Sequence, residues 1–332
     1  MIGVLLVNIG TPDSPRPKDV HRYLTQFLLD PRIITLPYLS RQLLVRGAII
    51  PLRYKTSAKS YQKIWTPEGS PLLVHTKKLT QALQEEMGPH YHIVPAMRYG
   101  NPSIKSGLKE LQKHKVEKII VLPLFPQYAS ATSGSILEEV FSIVKEWNEI
   151  PNIETISSFY HHPLFIEAWV QVAKSYVFSD YDHVIFSYHG LPLSQISQNR
   201  GCLKDTCCAH ICPQNRLCYK AQCIATTAKL VNRLPIGRTP YTISFQSRLG
   251  RQKWLEPYTS QVIKQRAKLG DKRILVISPS FVADCLETLF ELEIEAREEF
   301  LELNGLALDL VPSLNSHPSW VQALTTIIKH PK

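Results

Sequence analysis

Long apolar runs are missing from this 332-residue chain. None approaches the ~18 uninterrupted apolar residues that a membrane-spanning helix needs. The opening "MIGVLLVNIGTPDSP" carries only a short apolar run and no basic leader, so it does not read as a signal peptide. Low-complexity tracts and flexible linkers are also missing, which argues for closely packed domains. Cysteine is scarce outside one segment: six of the seven lie between residues 201 and 223, and only Cys285 lies elsewhere. A chain of this kind is expected in the cytoplasm, where thiols stay reduced, so a knot of them reads as metal binding rather than as disulfides.

Acidic residues are absent between Asp30 and Glu68, while Arg32, Arg41, Arg46, Arg53, Lys55, Lys59 and Lys63 fall there. Most of the excess behind the net charge of +10 sits in this stretch. It is also rich in Leu39, Leu43, Leu44, Ile49, Ile50 and Leu52. Cations set among greasy side chains suit an anionic apolar ligand or an acidic membrane surface. The plainer reading is the solvated face of a helix. Nucleic acid is disfavoured, because the basic residues follow no recognised binding motif.

What is present in quantity is short aliphatic runs ending in Gly or Pro. Strands are expected at 3–10, 92–100, 118–126, 182–190, 239–247 and 272–280. Their continuous hydrophobicity marks strands buried on both faces, and alternation with helical patterns points to parallel sheets of βαβ units. The length allows two domains of roughly 150 residues. "VEKIIVLPLFPQYASATSGSILEEV" and "GDKRILVISPSFVADCLETLFEL" echo each other, so two similar α/β domains are expected over 1–150 and 151–320, with 145–163 as the crossover. The loops after the strands then face one ligand-binding edge.

"SYHGLP" sets His189 just beyond a buried strand, where a neutral imidazole binds a divalent metal or accepts a proton near neutral pH. In the expected helix 284–299, Glu287, Glu291 and Glu295 recur every four residues and form one stripe, with Leu286, Leu289, Phe290 and Ile294 free to face the core. Like charges at that spacing repel, so they need either solvent or a bound cation.

Taken together, "VLLVNIGTPDSP", "YLTQFLLDPRII", "LPLFPQYASATSGS", "SYHGLP", "FQSRLGRQKWLEPYT" and "ADCLETLFELEIE" resemble the ferrochelatase family. The resemblance implies two Rossmann-like, chelatase-type domains with four-stranded parallel sheets flanked by helices and a porphyrin cleft between them. It implies insertion of Fe2+ into protoporphyrin IX to form protohaem with release of two protons, the last step of haem biosynthesis. By the same resemblance, His189 and Glu287 are the metal-site pair, Glu291 is a second acidic position, and Arg98, Tyr99, Tyr128 and Ser70 line the porphyrin cleft. The basic apolar stretch at 38–65 becomes the pocket lip, which meets the inner face of a membrane peripherally. Oligomeric state stays open.

The cysteines, Cys202, Cys207, Cys208, Cys212, Cys218 and Cys223, lack paired CxxC knuckles, so a zinc ribbon fits poorly. Four of the six suffice for a [2Fe-2S] cluster, which some ferrochelatases carry in such an insert, although structural zinc and unliganded thiols remain open. Cys223 is the least favoured ligand, and Cys285 reads as a packed helix cysteine. Competing functions are a coproporphyrin ferrochelatase, a chelatase for another divalent metal, and a non-catalytic iron-sulfur or haem-binding sensor.

Overall fold

The computed structural model describes residues 1–197, 210–250 and 252–330. The chain divides into two units, each built on a four-stranded parallel sheet. One holds Met1–Phe125, Ser130–Ser158 and the chain end from Leu324; the other holds Pro126–Ala129 and Phe159–Ala323. The break after Ser158 falls inside the expected crossover but later than residue 150. Strand Asn152–Thr155 pairs with Lys118–Pro123, which keeps it in the first sheet.

The first unit runs β1 (Ile2–Thr11), α1 (Pro17–Leu28), α2 (Tyr38–Leu44), α3 (Ile50–Ile64), α4 (Pro71–Met87), β2 (Tyr91–Gly100), α5 (Ile104–Lys113), β3 (Lys118–Pro123), α6 (Ser135–Val144) and β4 (Asn152–Thr155). A π-helical turn, Val45–Ile49, joins α2 to α3. The strand order is β2-β1-β3-β4. Val4, Leu5, Leu6 and Val7 of β1 are all fully buried, as a central strand covered on both faces requires. Leu5, Val7, Ile119 and Val121 pack with Leu108 and Leu111 of α5 and Ile136 and Val140 of α6. Each such side chain stabilises the fold by about 1.5–3 kcal/mol.

The second unit repeats the plan with α7 (Pro163–Ala173), β5 (His183–His189), α8 (Leu193–Ser197), α9 (Tyr219–Val231), β6 (Tyr241–Gln246), α10 (Thr259–Lys268), β7 (Arg273–Ile277), α11 (Arg297–Glu302), β8 (Ala307–Leu310) and α12 (Pro318–Lys329). Its order is β6-β5-β7-β8. Ile185, Ile274, Val276 and Leu308 pack against Val262 and Ile263 of α10 and against Leu292, Ala296 and Phe300. All six expected strands are present, with β3 and β7 ending at Pro123 and Ile277, short of the expected 126 and 280.

In both sheets the chain leaves the second strand of the order first to one side and later to the other. That reversal makes the carboxyl ends of β1 and β3, and of β5 and β7, the positions where such sheets bind ligands. His189 is the last residue of β5.

The acidic helix departs from the expected α form. Glu287–Ala296 is π-helical, preceding α11. Its i→i+5 bonds put more residues in each turn than an α-helix holds, so Thr288, Leu292 and Ala296 are its buried positions. Leu286, Leu289, Phe290 and Ile294, expected in the core, are only half-buried, and Glu295 is exposed.

Candidate active site

His189 reaches its position through backbone bonds on both sides of its ring. Its N–H donates to Ser280 Oγ (3.3 Å), its carbonyl accepts from the Tyr219 hydroxyl (2.8 Å), and the Gly190 N–H donates to the Gln246 carbonyl (2.8 Å). Only glycine fits at 190, because a Cβ there would stand 2.8 Å from the Gln246 carbonyl oxygen and 3.2 Å from the Trp254 ring. The His189 Nδ1 lies 2.6 Å from the Gly190 carbonyl oxygen. A carbonyl oxygen accepts only, so Nδ1 carries the proton and Nε2 presents its lone pair. Burial lowers the imidazole's pKa despite the opposing pull of the Glu287 carboxylate, which keeps the ring neutral at pH 7.

Glu287 and Glu291 lie on the π-helix, and Gln246 ties both to the end of β6. The Gln246 Nε2 donates to the Glu287 carbonyl oxygen (2.9 Å) and, more weakly, to Glu291 Oε2 (3.4 Å). Its Oε1 accepts from Ser187 Oγ (2.6 Å). Ser247, whose left-handed backbone (φ 65°) stores strain of the kind found at functional sites, donates its hydroxyl to Glu291 Oε2 (2.5 Å). The start of the π-helix is pinned by Asp284, whose carboxylate accepts from the Asn315 side chain (2.7 Å), the Ser313 N–H and the Thr288 hydroxyl. The Glu287, Glu291 stripe therefore survives the change of winding. Gln246 and Ser247 escaped the sequence reading, although both sit in the quoted "FQSRLG".

Burial, and then the charge of Glu287, push the Glu291 carboxyl up to about 8, against the hydrogen bonds from Ser247 and Gln246. Glu291 is therefore largely protonated at pH 7, and the pair does not carry two full charges. A carboxyl whose pKa rises on folding contributes stability that is complete below its unfolded value of about 4.5 and lost as the pH climbs through 8. Glu291→Gln is thus expected to flatten the fall in thermal stability between pH 5 and 9, by a few kcal/mol at the alkaline end. Melting curves with the same pH slope in both proteins would contradict this. Cys285, 6 % exposed, has its thiol pKa pushed well up by burial and by Glu287, so it stays a protonated packing residue.

The other sequence-predicted residues occupy separate settings. Arg98 and Tyr99, at the end of β2, surround the buried Asp30. Arg98 Nη2 and the Tyr99 hydroxyl each lie 2.8 Å from Asp30 Oδ2, the Ser135 hydroxyl lies 2.6 Å from it, and the Arg32 N–H donates to Oδ1 (2.7 Å). The Arg98 guanidinium stacks over the Tyr99 ring at 4.8 Å. Burial opposes ionisation of Asp30, but these hydrogen bonds and the Arg98 charge outweigh it and hold the pKa below the usual value. Asp30 sits in the quoted "FLLDPRII", yet nothing in its spacing announced a buried anion. Ser70 stands at the N-cap position of α4, but its hydroxyl makes no capping bond and lies 2.7 Å from that of Thr11 at the end of β1. Tyr128, half-buried, donates its backbone N–H to Gln222 Oε1 (2.6 Å).

A model of the ferrochelatase family matches residues 1–331. The chain belongs to the ferrochelatase family. A ferrochelatase of Coxiella burnetii (strain Dugway 5J108-111) is 43% identical over 335 residues, covering 99% of this chain and 93% of the relative. One from Legionella pneumophila (strain Lens) is 43% identical over 330 residues, covering 98% of each. Among solved structures, SirB from Bacillus subtilis with Fe3+ matches 99% of this chain and 94% of its own, at a TM-score of 0.56 and 13% identity, which speaks for the fold alone. The activity is accordingly that of a metal-inserting lyase of haem synthesis. In this ferrochelatase, His189, Glu287 and Glu291 are brought into one electrostatically linked group within the second unit.

Cys202, Cys207 and Cys208 lie outside the described residues. Cys212 is half-buried, while Cys218 and Cys223 are buried. The buried Asn215 holds the intervening turn, accepting from the Cys212 N–H (2.7 Å) and donating to the His210 carbonyl (2.8 Å). Cys223 lies inside α9, hydrogen-bonded to the Tyr219 side chain. The sulfurs of Cys212, Cys218 and Cys223 do not all come within 4.8 Å of one another.

No helix among the described residues is long and apolar enough to cross a membrane. On α2 and α3, Tyr38, Leu39, Leu43 and Leu52 are 64–80% exposed, beside exposed Arg46, Arg53, Lys55 and Lys59. Two of the seven cations serve the fold instead: Arg41 is buried and donates to the Leu36 carbonyl (2.7 Å), and Arg32 binds Glu138 and Ser130.

Proposed function

We propose that this ferrochelatase metallates protoporphyrin IX with Fe2+ beside His189, Glu287 and Glu291. A neutral porphyrin gives up two pyrrole protons as the ion enters, so the site needs a base at the macrocycle and a path for the protons. The observation that carries this reading is the His189 tautomer: Nδ1–H is committed to the Gly190 carbonyl, which leaves Nε2 as an acceptor for a pyrrole proton. Glu287 escorts the ion or takes the second proton, since carboxylate and imidazole both suit Fe2+. Glu291, held by Ser247 and Gln246, exchanges the proton onward. Arg98, Tyr99, Tyr128 and Ser70 serve the porphyrin pocket, with Arg98 oriented by Asp30. The choice of protoporphyrin rests on the apolar character of the stretch at 38–65, which favours two vinyl groups over two further propionates. That exposed stretch, with its cations, docks peripherally on the anionic inner face of a membrane.

Cys212 and Cys218, with two of Cys202, Cys207 and Cys208, are the ligands we assign to a [2Fe-2S] cluster. The fit is supported by the turn around Asn215, which Cys212 and Cys218 flank, and by Cys223 being already engaged with Tyr219. Such a cluster supplies redox sensitivity and a covalent staple, and metal insertion itself moves no electrons.

Anaerobic turnover with Fe2+ and each of the two porphyrins, run beside an absorption spectrum, tests both statements. Protoporphyrin IX is expected to exceed coproporphyrin III by about tenfold or more in kcat/KM. The reverse preference overturns the substrate, and a colourless, iron-free protein overturns the cluster. Glu287→Gln is expected to lower turnover more than it weakens porphyrin binding.

A further inference from the structure

A second set of metal-binding side chains lies in the first unit, and the haem reaction does not use it. His92 is the second residue of β2, the outer strand of its sheet. Glu110 and His114 stand four residues apart at the end of α5, a spacing that puts both side chains on one face. Packing of α5 against β2 brings that face to His92. The His114 Nε2 lies 3.3 Å from Glu110 Oε1, and the His92 Nε2 lies 3.9 Å from the same oxygen. One donor atom from each of the three falls within 4.8 Å of the others, and they are the only such trio among the described residues. The two imidazole rings approach to 3.9 Å between centroids.

An ordinary surface ion pair does not account for this arrangement. The His92 Nε2 is shielded from solvent and has no hydrogen-bond partner. Its distance to Glu110 is too long for one, and leaving a buried nitrogen unsatisfied costs about 1–3 kcal/mol. Two imidazoles stacked this closely repel when charged, and a shared cation converts the liability into a chelate. In a tetrahedral zinc site with bonds of about 2.0–2.1 Å, neighbouring donors stand roughly 3.3 Å apart. The Glu110–His114 separation of 3.3 Å already matches, while His92, 3.9 Å from Glu110, has to swing closer and the two stacked rings have to open to share one ion.

We propose that His92, Glu110 and His114 form a Zn2+ site whose remaining coordination position is filled by water. His92 and His114 also line a cavity of about 660 Å³, together with Lys77, Gln81, Glu85 and Tyr91, and this gives the ion an entry path. Two imidazoles and one carboxylate follow the usual affinity order and favour Zn2+ over Fe2+. The site therefore takes up a competing ion and not the cargo of the reaction. Lys113, 3.9 Å from Glu110 Oε2, is the cation that Zn2+ displaces.

The full-length protein in metal-free buffer is titrated with Zn2+ against a chromophoric chelator, beside His92→Asn/His114→Gln and the single variant His114→Gln. His114 sits at a helix end, 41% exposed, so the single variant is not expected to disturb the fold. The double variant is expected to bind one Zn2+ fewer, and the single variant to lose more than about tenfold in affinity for that one ion. Crystals soaked in stoichiometric Zn2+ are expected to show an anomalous peak among the three side chains, while iron insertion without added zinc stays at the wild-type rate. Equal stoichiometry in all three proteins, or anomalous peaks confined to the thiols or to His189, overturns the proposal. None of these readouts depends on the identity of the porphyrin.

Discussion

His189→Ala is expected to lower the rate of iron insertion by about 10³-fold or more while thermal stability and porphyrin binding change little. General-base catalysis by one positioned imidazole is worth roughly 10²–10⁴ in rate, and the Nε2 lone pair is the only one this ring offers, because Nδ1 carries the proton held by the Gly190 carbonyl. The ring contributes little to the backbone network around it. The bonds from Ser280, Tyr219 and Gly190 run through main-chain atoms that alanine keeps. The measurement is anaerobic turnover beside a thermal melt and a porphyrin titration. A folded variant with wild-type turnover would remove His189 from the chemistry. Loss of turnover together with collapse of the melt would make it a structural residue.

Asp30→Asn is expected to cost about 3 kcal/mol of stability, the scale seen when a largely buried ion pair loses one partner. The substitution leaves Arg98 and the Tyr99 and Ser135 hydroxyls converging on an amide that accepts at one atom only. Since folding depresses the Asp30 pKa, the wild-type carboxylate contributes its stability above the unfolded value of about 3.8 and loses it as the pH falls through the lower folded value. The variant should therefore differ most at neutral pH and approach the wild type in acid. Adding Arg98→Met is expected to recover part of the loss, as coupled neighbours do. A change within about 0.5 kcal/mol for Asp30→Asn alone would show that the network carries no load.

The central strands were legible because a strand covered on both faces is built around a continuous apolar run, as "VLLV" and "VIF" are. β4 and β8 were not, since "NIET" and "ALDL" are four-residue strands at sheet edges with polar positions, and such runs look like loops. His189 could be named because it closes the strand that the apolar run announces. The carboxylates could be named, but the winding beneath them could not: a repeat of four suits an α-helix and a π-helix alike, and the choice is made by packing of Thr288, Leu292 and Ala296. Gln246 and Ser247 act through hydrogen bonds to residues more than forty positions away, and Asp30 through one to Ser135 more than a hundred away. Periodicity within a segment holds no record of such partners.

The π-helical course of Glu287–Ala296 bears on proton counting. Extra residues per coil make the segment squatter than its α counterpart, and along it the charge of Glu287 helps to keep a proton on Glu291. At neutral pH Glu291 is the carboxyl that keeps its proton. In the proposed reaction, the proton on Glu291 is present before the dication arrives, so the charge that meets the ion is set in part by the course of the backbone.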